Sequence, residues 1–178
     1  MEELKSIPIL SQMTDEQHAS YSARCSWRVY EAGEMILDHE ETSNDVRFIA
    51  AGFVRIVARV AEGREVIFND FDAGRFFGEL SAIDNGIRSA NVTALTRARI
   101  CIMPQSVFAE LCHEVPQVAW QVMEHLTQMV RLLSDRLSEF TFLKAKHRLY
   151  AELMRMSRPR DPQSEQRIIS PIPPQAEI

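Results

Sequence analysis

The chain has 178 residues, 46% of them hydrophobic, and a formal charge of −5 from 20 Lys+Arg against 25 Asp+Glu. That length holds one domain, or one domain and part of another, with enough apolar residues for a core. The acidic balance argues against a piece that grips nucleic acid through its general field.

Three cysteines, Cys25, Cys101 and Cys112, are an odd and widely spaced set. They fit neither a disulfide framework nor a zinc or iron–sulfur pattern, and read as reduced, mostly buried thiols. No stretch has the length of a membrane span, and the N-terminus has neither the basic nor the apolar region of a signal. A cytoplasmic protein is expected.

Along the chain, residues 1–28 read as short helical pieces. Thr14-Asp15-Glu16-Gln17 has the form of a capping box, so a helix is expected to start there. From Trp27 to Met103 short apolar runs are broken by Gly, Asn and Asp. Val54, Ile56, Ala58 and Val60 alternate with Arg55, Val57 and Arg59, which suggests a strand with one buried face. Ala61-Glu62-Gly63-Arg64 reads as a hairpin turn. The pattern is that of a sandwich or a β-roll and does not choose between them.

After Pro104 the chain turns helical. Gln105 to Cys112 makes a short helix, and Pro116 opens a long one expected to run to about Ser157, roughly 60 Å for ~40 residues. On it Ala119, Met123, Leu126, Val130, Leu133, Leu137 and Phe140 recur at alternating spacings of four and three. That is a heptad seam, and it favours a symmetric two-helix dimer over packing on the chain's own domain. Arg158 to Pro162 breaks the helix, Arg167 to Ser170 reads as a short strand, and Pro174 to Ile178 reads as the first turn of another helix. A helix abandoned after one turn has no partner to bury it, so the protein is expected to continue.

The densest chemistry lies in Phe77-Gly78-Glu79-Leu80, with Arg88-Ser89-Ala90 nine positions after the glutamate. A carboxylate accepts from a ribose hydroxyl, an arginine fork matches two phosphate oxygens, and backbone N–H groups opening a short helix at Gly78 add donors. No hydrolytic machinery accompanies them. Ser22, Ser43 and Ser106 lack a nucleophile motif, and no pair of the five histidines has metal-ligand spacing. Surface or partly buried structural histidines, no metal, no cofactor and no enzymatic activity are expected.

Phe77 to Ile83, followed by Arg88-Ser89-Ala90-Asn91-Val92, resembles the phosphate-binding cassette of cyclic nucleotide-binding domains. The chain from about Leu10 onward is similar to bacterial regulators of the catabolite activator (Crp/Fnr) family. The resemblance implies an α+β fold: a β-roll of jelly-roll type with flanking helices and a long C-terminal dimerisation helix. It divides the chain into a nucleotide-binding roll (1–115), a dimerisation helix (116–158), and a hinge opening a winged helix-turn-helix (159–178).

By the same resemblance Glu79 holds the ribose 2′-hydroxyl, Arg88 and Ser89 hold the cyclic phosphate, Gly78 and Leu80 contribute backbone, and Ala90 offers a small surface. Counting from Phe142-Leu143, the base meets Leu133 and Ser134. Leu133 has no hydrogen-bonding group, whereas Ser134 both donates and accepts. Cyclic AMP is favoured over cyclic GMP, although Ser89 can also reach a syn guanine. The family departs from this chain at Ala82, where it has Leu, and at Asn91, where a small residue is usual. The implied partners are a second copy of the chain, DNA through a further domain, and RNA polymerase. The alternatives are a related regulator with a vestigial pocket, or a stand-alone regulatory domain of an enzyme or channel.

Overall fold

The computed structural model describes residues 2–59, 65–142, 144–161 and 166–169. It divides into two units that meet within one helix, the first ending at Val122 and the second beginning at Met123.

The first unit opens with α1 (Glu2–Lys5), a 3-10 turn (Pro8–Leu10) and α2 (Asp15–Ser22). The expected capping box is present: Gln17 N–H donates to Thr14 Oγ1 at 3.3 Å, and Thr14 N–H donates to Gln17 Oε1 at 2.9 Å. Eight strands follow: β1 (Ser26–Tyr30), β2 (Met35–Leu37), β3 (Val46–Ala51), β4 (Val54–Arg59), β5 (Glu65–Phe71), β6 (Phe76–Phe77), β7 (Asn91–Ala94) and β8 (Ala98–Met103). They form two antiparallel four-stranded sheets, ordered β1-β8-β3-β6 and β2-β7-β4-β5. This is the β-roll the resemblance implied.

One core joins the sheets. Tyr30, Ile49, Phe77, Ala98 and Ile100 from the first meet Ile36, Leu37, Val54, Ile56, Phe71, Val92 and Ala94 from the second. The opposite face of β3 is buried as well. Phe48 packs on Phe76 and Phe108, with ring centroids 5.8 and 6.4 Å apart, and Phe108 belongs to α4 (Gln105–Glu114). Helix α2 is tied to α4 by Tyr21, whose hydroxyl donates to Glu114 at 2.6 Å, and Arg24, just past the end of α2, makes a bidentate pair with Glu110 at 2.5 and 2.7 Å.

Two expectations change. Strand β4 is not buried on one face only: Arg55 is buried together with Val54, Ile56 and Val57. The strand lies between β5 and β7, and Asp70, directly across the ladder, takes Arg55 in two bonds of 2.8 and 2.9 Å. A buried cation is tolerated where its partner sits in register. The turn expected at Ala61 to Arg64 lies outside the described residues.

The long helix is the second change. Helix α5 (Pro116–Phe142) stops after 27 residues, and α6 (Ala145–Met156) begins from Lys144, whose backbone is extended at φ −67° and ψ 154°. Arg136 donates to Glu152 at 3.3 Å and Arg155 pairs with Glu139, in both cases across 16 residues. A continuous helix would hold such residues about 24 Å apart. The ion pairs close only because the chain turns back, and heptad spacing carries no sign of that. The short β9 (Arg158–Pro159) and β10 (Arg167–Ile168) pair antiparallel. The helical turn expected from Pro174 lies outside the described residues.

Cys101 is buried, Cys25 and Cys112 are half-buried, and all three are reduced. His18 is buried outright rather than partly, and burial holds its imidazole below its ordinary value. Among the described residues no helix is long and apolar enough to cross a membrane, and no cluster of His, Cys, Asp and Glu has the makings of a metal site.

The turn between β3 and β4 depends on Gly52, at φ +92°. A Cβ there would lie 2.4 Å from Arg97 O and 2.7 Å from Ala98 Cα, both backbone atoms. We expect Gly52→Ala to cost at least about 2 kcal/mol, read as a thermal midpoint lower by roughly 4–8 °C. An unchanged midpoint would show that the turn reshapes freely.

Candidate functional site

The short helix α3 (Glu79–Asp84) follows β6, so the end of one roll strand delivers the Glu79 side chain to the interior. Its N-cap is Gly78, left-handed at φ +85°. A Cβ at Gly78 would lie 2.7 Å from Arg88 Nη1 and 2.9 Å from Asp45 O. Glycine is needed here twice, for the backbone angle and for the closeness of the guanidinium. The far end of α3 is held by Gln105, whose side-chain amide donates to Ala82 O and Asn85 Oδ1 at 2.9 and 2.7 Å.

Glu79 and Arg88 are 3% and 4% exposed. The acid and the cation singled out in the sequence are therefore both withdrawn from water in the same part of the roll. Burial first, and then the charge of Arg47, press the Arg88 guanidinium below its ordinary value; Glu41, Asp45 and Glu79 pull the other way.

The Arg88 fork is already engaged within the protein. Nη1 donates to Gly78 O at 3.0 Å and to Ser81 Oγ at 2.7 Å, while Nη2 donates to Asp45 O at 2.9 Å and to Ser43 Oγ at 3.2 Å. Both terminal nitrogens are engaged by the protein's own acceptors. Only Nε is buried with no hydrogen-bond partner among the described residues. The physical reason is desolvation: a guanidinium this deep must be hydrogen-bonded, and the nearest acceptors are backbone carbonyls and serine hydroxyls.

The other residues expected at the site are placed as follows. Leu80 and Ser89 are exposed, and Ala90 packs against the interior core. Asn91, where the family has a small residue, is buried, and its Oδ1 accepts from His39 N–H at 2.8 Å, tying β7 to the loop after β2. Ala82, on α3, is buried. Leu133 and Ser134 belong to the second unit and are exposed on α5. The Ser134 hydroxyl donates to Val130 O at 2.9 Å.

Sequence reasoning missed the loop between β2 and β3. Ser43, which carries no nucleophile motif, is an acceptor for Arg88 and itself donates to Glu41. Glu41 also accepts from Arg47 Nη2 at 2.5 Å. Burial raises the Glu41 carboxyl, but the Ser43 hydroxyl and the Arg47 and Arg88 charges outweigh it and hold it below its ordinary value. Arg47 is 5% exposed, and its Nε and Nη1 have no partner among the described residues. Each such donor costs about 1–3 kcal/mol when left unmet. The available signal was an arginine inside the apolar run Val46-Arg47-Phe48-Ile49.

Residues 27–115, half of the chain, match the family described as cyclic nucleotide-binding domain. The CRP-like cAMP-activated global transcriptional regulator of Mycobacterium tuberculosis is 24% identical over 125 residues, which cover 70% of this chain and 56% of that protein. The chain thus spans little more than half the length of that relative. The crystal structure of Thermus thermophilus catabolite activator protein is similar with a TM-score of 0.66 at 23% identity, over 76% of this chain and 63% of that one. The regulatory subunit of a cAMP-independent protein kinase A from Trypanosoma brucei gives 0.64 at 23% identity, over 76% of this chain and 49% of that one. At such identities the solved structures speak for the fold alone. The roll, the glycine-opened α3 and the buried Glu79 and Arg88 fall within the matched span, and the chain belongs to the cyclic nucleotide-binding domain family.

Proposed function

We propose that this chain is the ligand-sensing and dimerising part of a Crp/Fnr-type transcription regulator. The observation that carries the reading is the burial of Glu79 and Arg88 together behind a glycine that admits the guanidinium. Within it Glu79 takes the ribose hydroxyl, and Arg88, through Nε and through nitrogens it releases from Ser43 and Asp45, takes the cyclic phosphate with Ser89. Gly78 and Leu80 supply backbone, and Ala90 a close surface. The CRP-like relatives support a cyclic nucleotide as ligand and DNA as the downstream partner. Ligand recognition here is binding without turnover.

Leu133 and Ser134 are the proposed contacts of the base. With its proton engaged by Val130 O, the Ser134 oxygen offers lone pairs. Those suit the amino group at position 6 of adenine better than the carbonyl of guanine, which supports cyclic AMP over cyclic GMP. A ligand that binds one arrangement of roll and helix better than another shifts the population, and tight binding without that difference does nothing.

The proposed dimer rests on the seam of α5. Met123, Val130, Leu133 and Leu137 are 52%, 63%, 48% and 70% exposed, an apolar stripe at heptad spacing about 21 Å long. A second copy of the same helix is the partner that pattern fits. Dimerisation in turn is how a sensor places paired DNA-binding domains on a two-fold site.

A second reading, a stand-alone regulatory domain of an enzyme, is compatible with the fold shared with the Trypanosoma brucei regulatory subunit. A helix-turn-helix in the full gene supports the first reading and a kinase-associated architecture the second.

Calorimetric titration with cyclic AMP and cyclic GMP is expected to show binding, stronger for cyclic AMP. Arg88→Ala should lose on the order of 2–5 kcal/mol, or roughly thirtyfold to several thousandfold in affinity. Equal affinity in that variant would remove the assigned role. In sedimentation the chain should run as a dimer and Leu137→Glu as a monomer with an unchanged far-ultraviolet spectrum. A wild-type monomer at micromolar concentration would sink the seam.

A further inference from the structure

Arg47 belongs to the interior of the roll. Strand β3 sets it opposite Phe77 on β6 and Ile102 on β8, and two residues before Ile49. Phe77 and Ile49 are core residues and Ile102 packs against that core. Cross-strand partners and alternate residues share a face, so the Arg47 side chain rises from the same inner surface as they do. Phe48, next in sequence, faces the other way onto Phe76 and Phe108.

A charged side chain on that surface needs a partner, and Arg47 has only part of one. Nη2 reaches Glu41, while Nε and Nη1 are buried and unpaired among the described residues. Glu41 in turn accepts from Ser43, and Ser43 accepts from Arg88 Nη2. Three hydrogen bonds thus connect the two guanidiniums through one loop, and the Arg47 charge is felt at Arg88. At Arg88 too a buried donor, Nε, is unpaired. Three buried nitrogens of two cations are thus unpaired among the described residues, and the two side chains are linked through one carboxylate, Glu41.

We propose that Arg47 is a second phosphate-recognition residue of the roll, donating to the cyclic phosphate alongside Arg88, with Glu41 as the internal carboxylate that offsets part of their charge before ligand arrives. The proposal rests on the cyclic-nucleotide reading above and deepens it. A phosphodiester presents two non-bridging oxygens with several lone pairs, enough to engage donors from both guanidiniums at once. Glu41, competing for Arg47 and lying near the anion, opposes binding. An ion pair kept only for structure has no such effect on ligand.

The test uses the whole chain, titrated with cyclic AMP and cyclic GMP, with a thermal melt of each variant as the folding control. Arg47→Met keeps the stem and removes the donors, and is expected to lose at least about tenfold in affinity, with Arg47→Lys recovering part of it. Glu41→Gln is expected to bind severalfold tighter while melting lower, a combination that structural damage does not produce. Where Arg47→Met fails to fold, Glu41→Gln decides by itself. Wild type that binds neither nucleotide overturns the functional reading and this assignment with it. Wild type and Arg47→Met binding alike, or Glu41→Gln binding equally or more weakly, overturns the role of Arg47 and leaves the functional reading standing.

Discussion

The structure of the site depends on keeping one guanidinium out of water. Arg88 lies at the end of a loop with no helix or strand of its own, yet it is as buried as the core around it. An arginine in that position is stable only if its N–H groups are met. The acceptors come from two places: Gly78 and Ser81 at the start of α3, and Ser43 and Asp45 on the loop before β3. Arg88 therefore clamps elements far apart in the chain, and the cassette is a tertiary object although its residues are nearly contiguous.

The same clamp explains the local sequence. Gly78 has no Cβ because the guanidinium occupies that space, and its backbone takes a left-handed angle that turns β6 into α3. Ser81 contributes twice, accepting from Arg88 and donating to Gly78 O at 3.3 Å. Breaking a buried charge from its partners is far more damaging than never having had it. The loop at Ser43 to Asp45 is thereby tied through Arg88 to the start of α3.

Much of the architecture is legible in the chain's short-range patterns. The capping box at Thr14, the break at Pro104, the helix opening at Pro116 and the strand region from Trp27 to Met103 each follow from such rules, and each is found. The nearness of Glu79 and Arg88 is legible because their spacing is fixed by a short helix and a loop. What escapes are interactions between segments. The turn after Phe142 is held by ion pairs across 16 residues, and no periodicity announces those. Arg55 and Arg47 have the look of solvent-facing strand positions, but register sets Asp70 opposite the first and the core beside the second.

By itself the sequence singled out an acid, a cation and a glycine at spacings that one loop and one short helix impose. It also determined an apolar stripe on α5 that this chain leaves uncovered. Only the tertiary structure decided how the cations are satisfied, because hydrogen-bond partners and desolvation depend on what folds against a residue rather than on what precedes it. That is why Arg88 proved to be engaged at both terminal nitrogens, and why Arg47, an ordinary letter in an apolar run, proved to be a buried charge on the inner face of the roll.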